Sequence, residues 1–234
     1  MTSITNTEME GKMLRKISLT ILLFSLVLVA MGCSSNKPAA LSLSDERITE
    51  LRKEYPLSEG NASLAQTVDV PFDQILGMSD AVIIAEVVKQ NPNFTSSLTA
   101  EPGTPEGDAA EKDKTQGIEP YKPTFVSYEV KVDEVIVGEE VPNSVNLFYN
   151  ADFVGIEPDL KPGMKIVASI KKGTAPEQQG SYSFTRYATY YVVDDDYVLS
   201  AYQGKTGEAK IFTNQTDGKT LDNLVEQIKE LWSN

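Results

Sequence analysis

Histidine is absent from the 234 residues, cysteine and tryptophan occur once each, and no long apolar run follows residue 33. Without an imidazole there is no histidine-based Ser or Cys triad and no His-ligated zinc. The lone Cys33 excludes an intramolecular disulfide and any Cys-pair redox or zinc motif. A helical span needs about 20 apolar residues, and nothing beyond residue 33 supplies them. Basic residues are also in short supply, 21 against 34 acidic, for a net charge of -13. Nucleic acid and anionic headgroups are therefore poor partners, because association would bring like charges together. No Gly-rich phosphate loop, Ser-x-x-Lys or Gly-x-Ser-x-Gly motif stands out, so the sequence calls for no cofactor and no metal.

What is present begins with a leader. Lys16 and Arg15 precede a 15-residue apolar run over 17–31, followed by Val29-Ala30-Met31-Gly32-Cys33-Ser34-Ser35 at its end. The run is shorter than a spanning helix and matches the apolar region of a secretory signal peptide, with its basic flank left inside. The polar residues 1–12 add nothing to such a leader, which makes Met13 the better start. The segment ending in Gly32-Cys33 resembles the lipobox of bacterial lipoproteins. Ala30 stands where leucine is usual and Met31 is bulkier than the usual small residue. The resemblance implies cleavage between Gly32 and Cys33, diacylglycerylation of the Cys33 thiol and acylation, as with palmitate, of the new amine. It places the mature chain on the extracytoplasmic face of the cell membrane, held there by its lipid. In a cell with two membranes Ser34, which is not the inner-membrane retention aspartate, implies the outer membrane. Two acyl chains hold a soluble domain stably where one does so only marginally.

Residues 33–43 are small and polar and suit a flexible tether. Residues 44–56 read as a short helix, with acidic residues early, basic ones late, and Ile48, Leu51 and Tyr55 on one face. A single β-rich domain is expected over 66–234. A one-turn helix at 72–76 leads into the β-branched run 81–88. Residues 90–123, rich in Pro, Gly, Ser, Thr and charge, read as a mobile insertion. Val126, Tyr128, Val130 and Val132 then alternate with polar residues, and the phase slips by one at Val135-Ile136-Val137, which predicts a bulge. Further strands are expected at 145–149 and 165–170, the second after a type II turn at Leu160-Lys161-Pro162-Gly163. Residues 182–193 and 197–202 read as a hairpin around Asp194-Asp195-Asp196, and 210–212 as a short edge strand. Thr220 caps a final helix whose Leu221, Leu224, Val225, Ile228, Leu231 and Trp232 share a face.

The fold class is thus mainly β (α+β): a small antiparallel OB-like barrel or curled sheet with a C-terminal amphipathic helix. In strand layout alone, residues 68–212 loosely resemble the barrels of netrin-type and tissue-inhibitor modules, without their disulfides. Two constellations bear on function. The aspartate triple offers hard oxygen ligands, but consecutive carboxylates at a hairpin tip do not converge on one ion. Seven aromatics crowd the hairpin, and adjacent Tyr190 and Tyr191 must face opposite sides of their strand. If one face is open, Arg186, Tyr187, Tyr190 and Tyr191 form a platform for a carbohydrate or peptide; if the terminal helix covers it, they are core. The expected function is a lipid-anchored binding or interaction module of the bacterial cell envelope, without catalysis, whose partner is an envelope protein or wall polymer. Two alternatives stay open: a carboxylate-based hydrolase of wall polymers, which needs no histidine, and a protease-inhibitor-like barrel.

Overall fold

The computed structural model describes residues 42–60, 69–96, 102–119, 122–205 and 207–233. The leader, Cys33 and nearly all of the expected tether lie outside the described residues. From Leu41 to Asn234 the chain forms one compact unit with its own core. Six strands carry it: β1 (Ala81–Thr95), β2 (Thr124–Gly138), β3 (Ser144–Asn150), β4 (Lys165–Lys172), β5 (Ser181–Val193) and β6 (Tyr197–Ser200). Among the described residues five helices accompany them: α1 (Asp45–Leu51), α2 (Phe72–Gly77), α3 (Pro105–Thr115), α4 (Gly207–Thr216) and α5 (Leu221–Trp232).

The strands run in the order β3-β2-β1-β4-β5-β6, and a parallel pairing of β3 with β5 closes the first five into a barrel. This is the expected OB-like arrangement, with β6 added beyond the ring. One edge of β5 lies along β4, while its other edge is divided: residues 181–183 pair with β3 and 190–193 with β6. The predicted bulge is present, since Val82 opposes Val137 and Ile83 opposes Val135, which leaves Ile136 without a partner. Gly138, at a φ of 97°, ends β2 where any Cβ would stand 2.3 Å from the Asp80 carbonyl oxygen. Only glycine fits there. The turn before β4 also forms as read, with Gly163 at a φ of 85° and Met164 N–H donating to the Lys161 carbonyl at 3.1 Å.

Two apolar cores explain why β1 and β5 are apolar at successive residues. In β1, Ala81, Ile83 and Ala85 point into the barrel, and Val82 and Ile84 point out beneath helices. In β5, Tyr191 and Val193 face in, and Tyr190 and Val192 face out. A sheet covered on both faces loses the alternation that marks a half-solvated strand. The outer core is completed by Phe72, Ile75 and Leu76 of α2 and by Leu224 and Ile228 of α5. The amphipathic face read for α5 is the one that packs, and the Thr220 side chain accepts from Asn223 N–H at 3.3 Å as its N-cap. Helix α1 sends Leu51 into the barrel core, with Ile48 and Tyr55 against it. It ends earlier than its expected span over 44–56, the chain turning after Leu51.

Two local expectations are corrected. Strand β1 runs on to Thr95, five residues past the point where the insertion was expected to begin, because Phe94 stacks on Phe125 at 5.3 Å and meets Phe148 edge-on at 5.8 Å. Beyond it, α3 forms with Thr104 as N-cap and Pro105 in its first turn, a start signal that composition obscures. Residues 210–212 belong to helix α4 rather than an edge strand. Phe212 stacks on Phe72 at 4.3 Å, and Thr213 and Thr216 donate to carbonyls four residues back, so their β-branched side chains bond within the helix.

The hairpin between β5 and β6 turns on Asp194 and Asp195 at φ of 48° and 67°, the left-handed pair of a type I′ turn. Asp194 is further held by two hydrogen bonds from the Arg47 guanidinium, at 2.7 and 2.6 Å. Asp195 carries the same backbone cost without that bond. Asp195→Gly is therefore expected to stabilise the fold by about 0.5–1 kcal/mol, and Asp194→Gly to gain less because it loses Arg47. Urea midpoints of the two variants check the order.

Candidate functional site

The residues read as a ligand platform are mostly interior. Tyr190 is buried beneath α2 and α5, and Tyr191 is buried inside the barrel, where low polarity pushes its phenol up to about 12. Tyr187 is half-buried at the edge of the outer core. Arg186 is only 2% exposed, which is rare for a charged side chain. The platform therefore does not form: the helices cover one face of the hairpin and the barrel encloses the other.

The location of Arg186 follows from an irregularity in β5. Ala168 of β4 opposes Thr189 and Ile170 opposes Phe184, so the stretch from 184 to 189 is matched by only two steps of β4. Thr189 Oγ1 donates to the Thr185 carbonyl at 2.8 Å, closing the excursion on itself. Such bulges re-aim side chains. Here the guanidinium donates from Nη1 to the carbonyls of Ser58 at 2.7 Å and Ile156 at 3.4 Å. Its carbon lies 4.1 Å from the ring centre of Tyr202 and 5.1 Å from that of Tyr187, and the two rings meet edge to face. Cation–π contact of this kind strengthens when desolvated. Its Nε has no hydrogen-bond partner among the described residues.

Two carboxylates flank this cation. Glu157 accepts from the Arg186 backbone N–H at 2.5 Å and from Thr185 Oγ1 at 3.3 Å. Burial raises its pKa above the ordinary carboxylate range, and the bonds from Arg186 and Thr185, with the nearby guanidinium charge, offset part of that rise. Asp69 accepts from the Tyr202 hydroxyl at 2.5 Å and from Lys205 N–H at 2.7 Å. Burial and then Asp69 raise the Tyr202 pKa. The cluster thus gathers Ser58, Asp69, Ile156, Glu157 and Tyr202 from four separate segments around one charge. No periodicity in the sequence marked Ser58, Asp69 or Glu157. The cluster's chemistry is that of a fastening, because Arg186 is spent on carbonyls and ring faces away from solvent.

The aspartate triple is likewise accounted for in part, Asp194 being bonded to Arg47, and no group of three metal-ligating side chains occurs among the described residues. An accessible site lies elsewhere. A groove of about 200 Å³ is lined by Pro71, Phe72, Asp73, Glu208, Ile211, Phe212, Gln215 and Leu231, between α2, α4 and α5. A second hollow of about 510 Å³, which shares Asp73 and Leu231 with it, is lined further by Leu76, Gly77, Ser79 and Trp232. The floor is apolar and both carboxylates are exposed. Neither has the enclosure that equips a carboxylate as a general acid. The signal for this groove in the sequence was the apolar pair Ile211-Phe212, read there as a strand.

Two outcomes follow from the Arg186 cluster. Arg186→Met leaves the Ser58 and Ile156 carbonyls without a donor and is expected to cost about 2–4 kcal/mol, read from chemical denaturation. Glu157, its pKa raised by folding, contributes stability that is present below its unfolded pKa and is lost as pH rises through the folded value. Glu157→Gln is expected to show a shallower fall of Tm than the parent as pH rises from about 4 to 7, and parallel curves would contradict the assignment. Compared with known proteins, the chain matches no family model and no curated protein.

Proposed function

We propose that this chain is a lipid-anchored interaction module on the extracytoplasmic face of a bacterial cell membrane. The observation that carries the reading is the position of its only cysteine. Cys33 directly follows Gly32 at the end of a 15-residue apolar run with basic residues before it. The spacing to the fold is consistent with that role, since the compact unit begins at Leu41, only a few residues after Cys33. Among the described residues no helix is long and apolar enough to cross a membrane, so attachment through the thiol does not compete with a helical span there.

The form of the domain favours binding at its outer surface. Among the described residues the barrel interior is packed with side chains such as Ile83, Tyr128, Leu147, Ile166 and Leu199. Of the hollows that open to solvent, one of about 200 Å³ lies against β4 and β5, and the groove between α2, α4 and α5 with its continuation lies on the helical side. A partner in the envelope, protein or wall polymer, would meet the module there while the lipid holds it near the bilayer.

Mass spectrometry of membrane-extracted protein is the test. The mature chain is expected to begin at a diacylglyceryl-modified Cys33, and Cys33→Ala to leave the membrane fraction entirely. An unmodified Cys33, or a Cys33→Ala chain that stays membrane-bound, would overturn the reading.

A further inference from the structure

The groove between α2, α4 and α5 has a composition that specifies what it would hold. Glu208, Ile211, Phe212 and Gln215 stand at successive positions of one stripe of α4, spaced as i, i+3, i+4 and i+7. Lys210 falls on the opposite side of the helix. Across the groove α2 contributes Phe72 and Asp73, and α5 contributes Leu231. Ile211 is 57% exposed, among the most exposed large apolar side chains described. The floor therefore offers apolar surface between two helices, and its charged rim is wholly acidic.

Neither Asp73 nor Glu208 has an ion-pair partner among the described residues, although ion pairs engage acidic groups elsewhere, as Asp194, Asp217 and Glu129 show. The groove continues into the hollow at Leu76 and Trp232 through the shared Asp73 and Leu231, which extends it along α2. A volume of about 200 Å³ exceeds a cavity that holds benzene, roughly 150 Å³, so one large apolar side chain fits the first hollow and at least one more the second. Two apolar anchors with cations beside them are what one face of a basic amphipathic helix presents. The net charge of -13 steers such a partner toward the domain and repels acidic ones.

We propose that this groove is the docking site for a basic amphipathic helix of a partner protein, its leucine- or phenylalanine-like anchors in the two hollows and its Lys or Arg side chains on Asp73 and Glu208. The proposal deepens the interaction-module reading and rests on it for the partner's place in the envelope.

Trp232 is the only tryptophan of the chain and lines the second hollow, so its fluorescence reports occupancy directly. The compact unit from Leu41 to Asn234 is titrated with three synthetic helical peptides of equal length: Leu/Lys amphipathic, Leu/Glu amphipathic, and a Ser/Lys control of the same charge. The Leu/Lys peptide is expected to give a saturable blue shift. The Leu/Glu and Ser/Lys peptides are expected to bind at least ~10-fold more weakly. Joint Asp73→Lys and Glu208→Lys substitution is expected to weaken the Leu/Lys peptide by ~10-fold or more and to improve the Leu/Glu peptide. Ile211→Glu, exposed and tolerable to the fold by circular dichroism, is expected to abolish the shift.

Equal affinity for the Leu/Lys and Leu/Glu peptides, or indifference to the charge reversal, would overturn the proposal. So would equal binding of the Ser/Lys control, which would mean charge attraction alone. A dimer in sedimentation that Ile211→Glu dissolves would overturn it too, by showing a second copy on the face. These outcomes are separable from the anchoring reading, because an unmodified Cys33 in cells would leave the titration unaltered and a failed titration would leave a lipidated Cys33 in place.

Discussion

Everything in this fold turns on β5 having to satisfy two edges and two cores at once. Its pairing with β3 closes the barrel, its pairing with β6 extends the sheet, and both occur on one side of a single 13-residue strand. The opposite side pairs with β4 on either side of the stretch between 184 and 189. A strand that twists enough to leave one neighbour and accept another needs slack, and the excursion between 184 and 189 supplies it. The cost is a stretch of backbone that cannot follow the ladder of β4. Arg186, Glu157 and Thr189 bond the displaced groups, so the closure of the barrel and the buried cation are two aspects of one constraint.

This accounts for what could be read beforehand. Helix α5 announced itself because one of its faces meets the outer core and the other meets water, which is the condition that gives a 3.6-residue pattern. The same applies to the alternating start of β2 and to its phase slip at Ile136, where two residues oppose one. The hairpin around Asp194-Asp195-Asp196, though not its turn type, and the Pro-Gly turn before β4 depend on local backbone preferences and were equally legible. Tyr190 and Tyr191 were ambiguous for a physical reason: a strand buried on both sides has no period, and only the presence of α2 and α5 decides that the outer tyrosine is core rather than platform. Helix α4 was not legible because Ile211 and Phe212 are short of apolar neighbours in sequence, and the packing of Phe212 on Phe72 is a contact across more than a hundred residues.

The candidate groove and the Arg186 cluster were invisible for different reasons. The cluster draws on Ser58, Asp69 and Glu157, which sit in segments with no repeating structure, so nothing local marks them as partners. The groove is made from the sides of three helices, and Asp73 and Glu208 look in sequence like ordinary first-turn carboxylates of the kind a helix dipole favours. Their lack of ion pairs becomes visible only once the apolar floor between them is in place. By contrast the expectation for Cys33 needs no fold at all, since it rests on the immediate neighbours and on the lack of any other cysteine.

The manner in which the chain enters the domain has a mechanical consequence. Ser42 bridges Lys219, Leu43 N–H donates to the Gly218 carbonyl at 2.8 Å, and the Arg52 guanidinium grips both oxygens of Asp217 at 2.8 Å. The first described residues are thus fastened to the short turn between α4 and α5. A pull arriving from the N-terminal side is borne there by a few parallel bonds, close to the point of entry. That joint is bonded directly to β6, Gly218 N–H donating to the Val198 carbonyl at 2.7 Å and Val198 N–H to the Lys219 carbonyl at 2.9 Å, so the load enters the sheet at the strand outside the ring and not at the seam between β3 and β5.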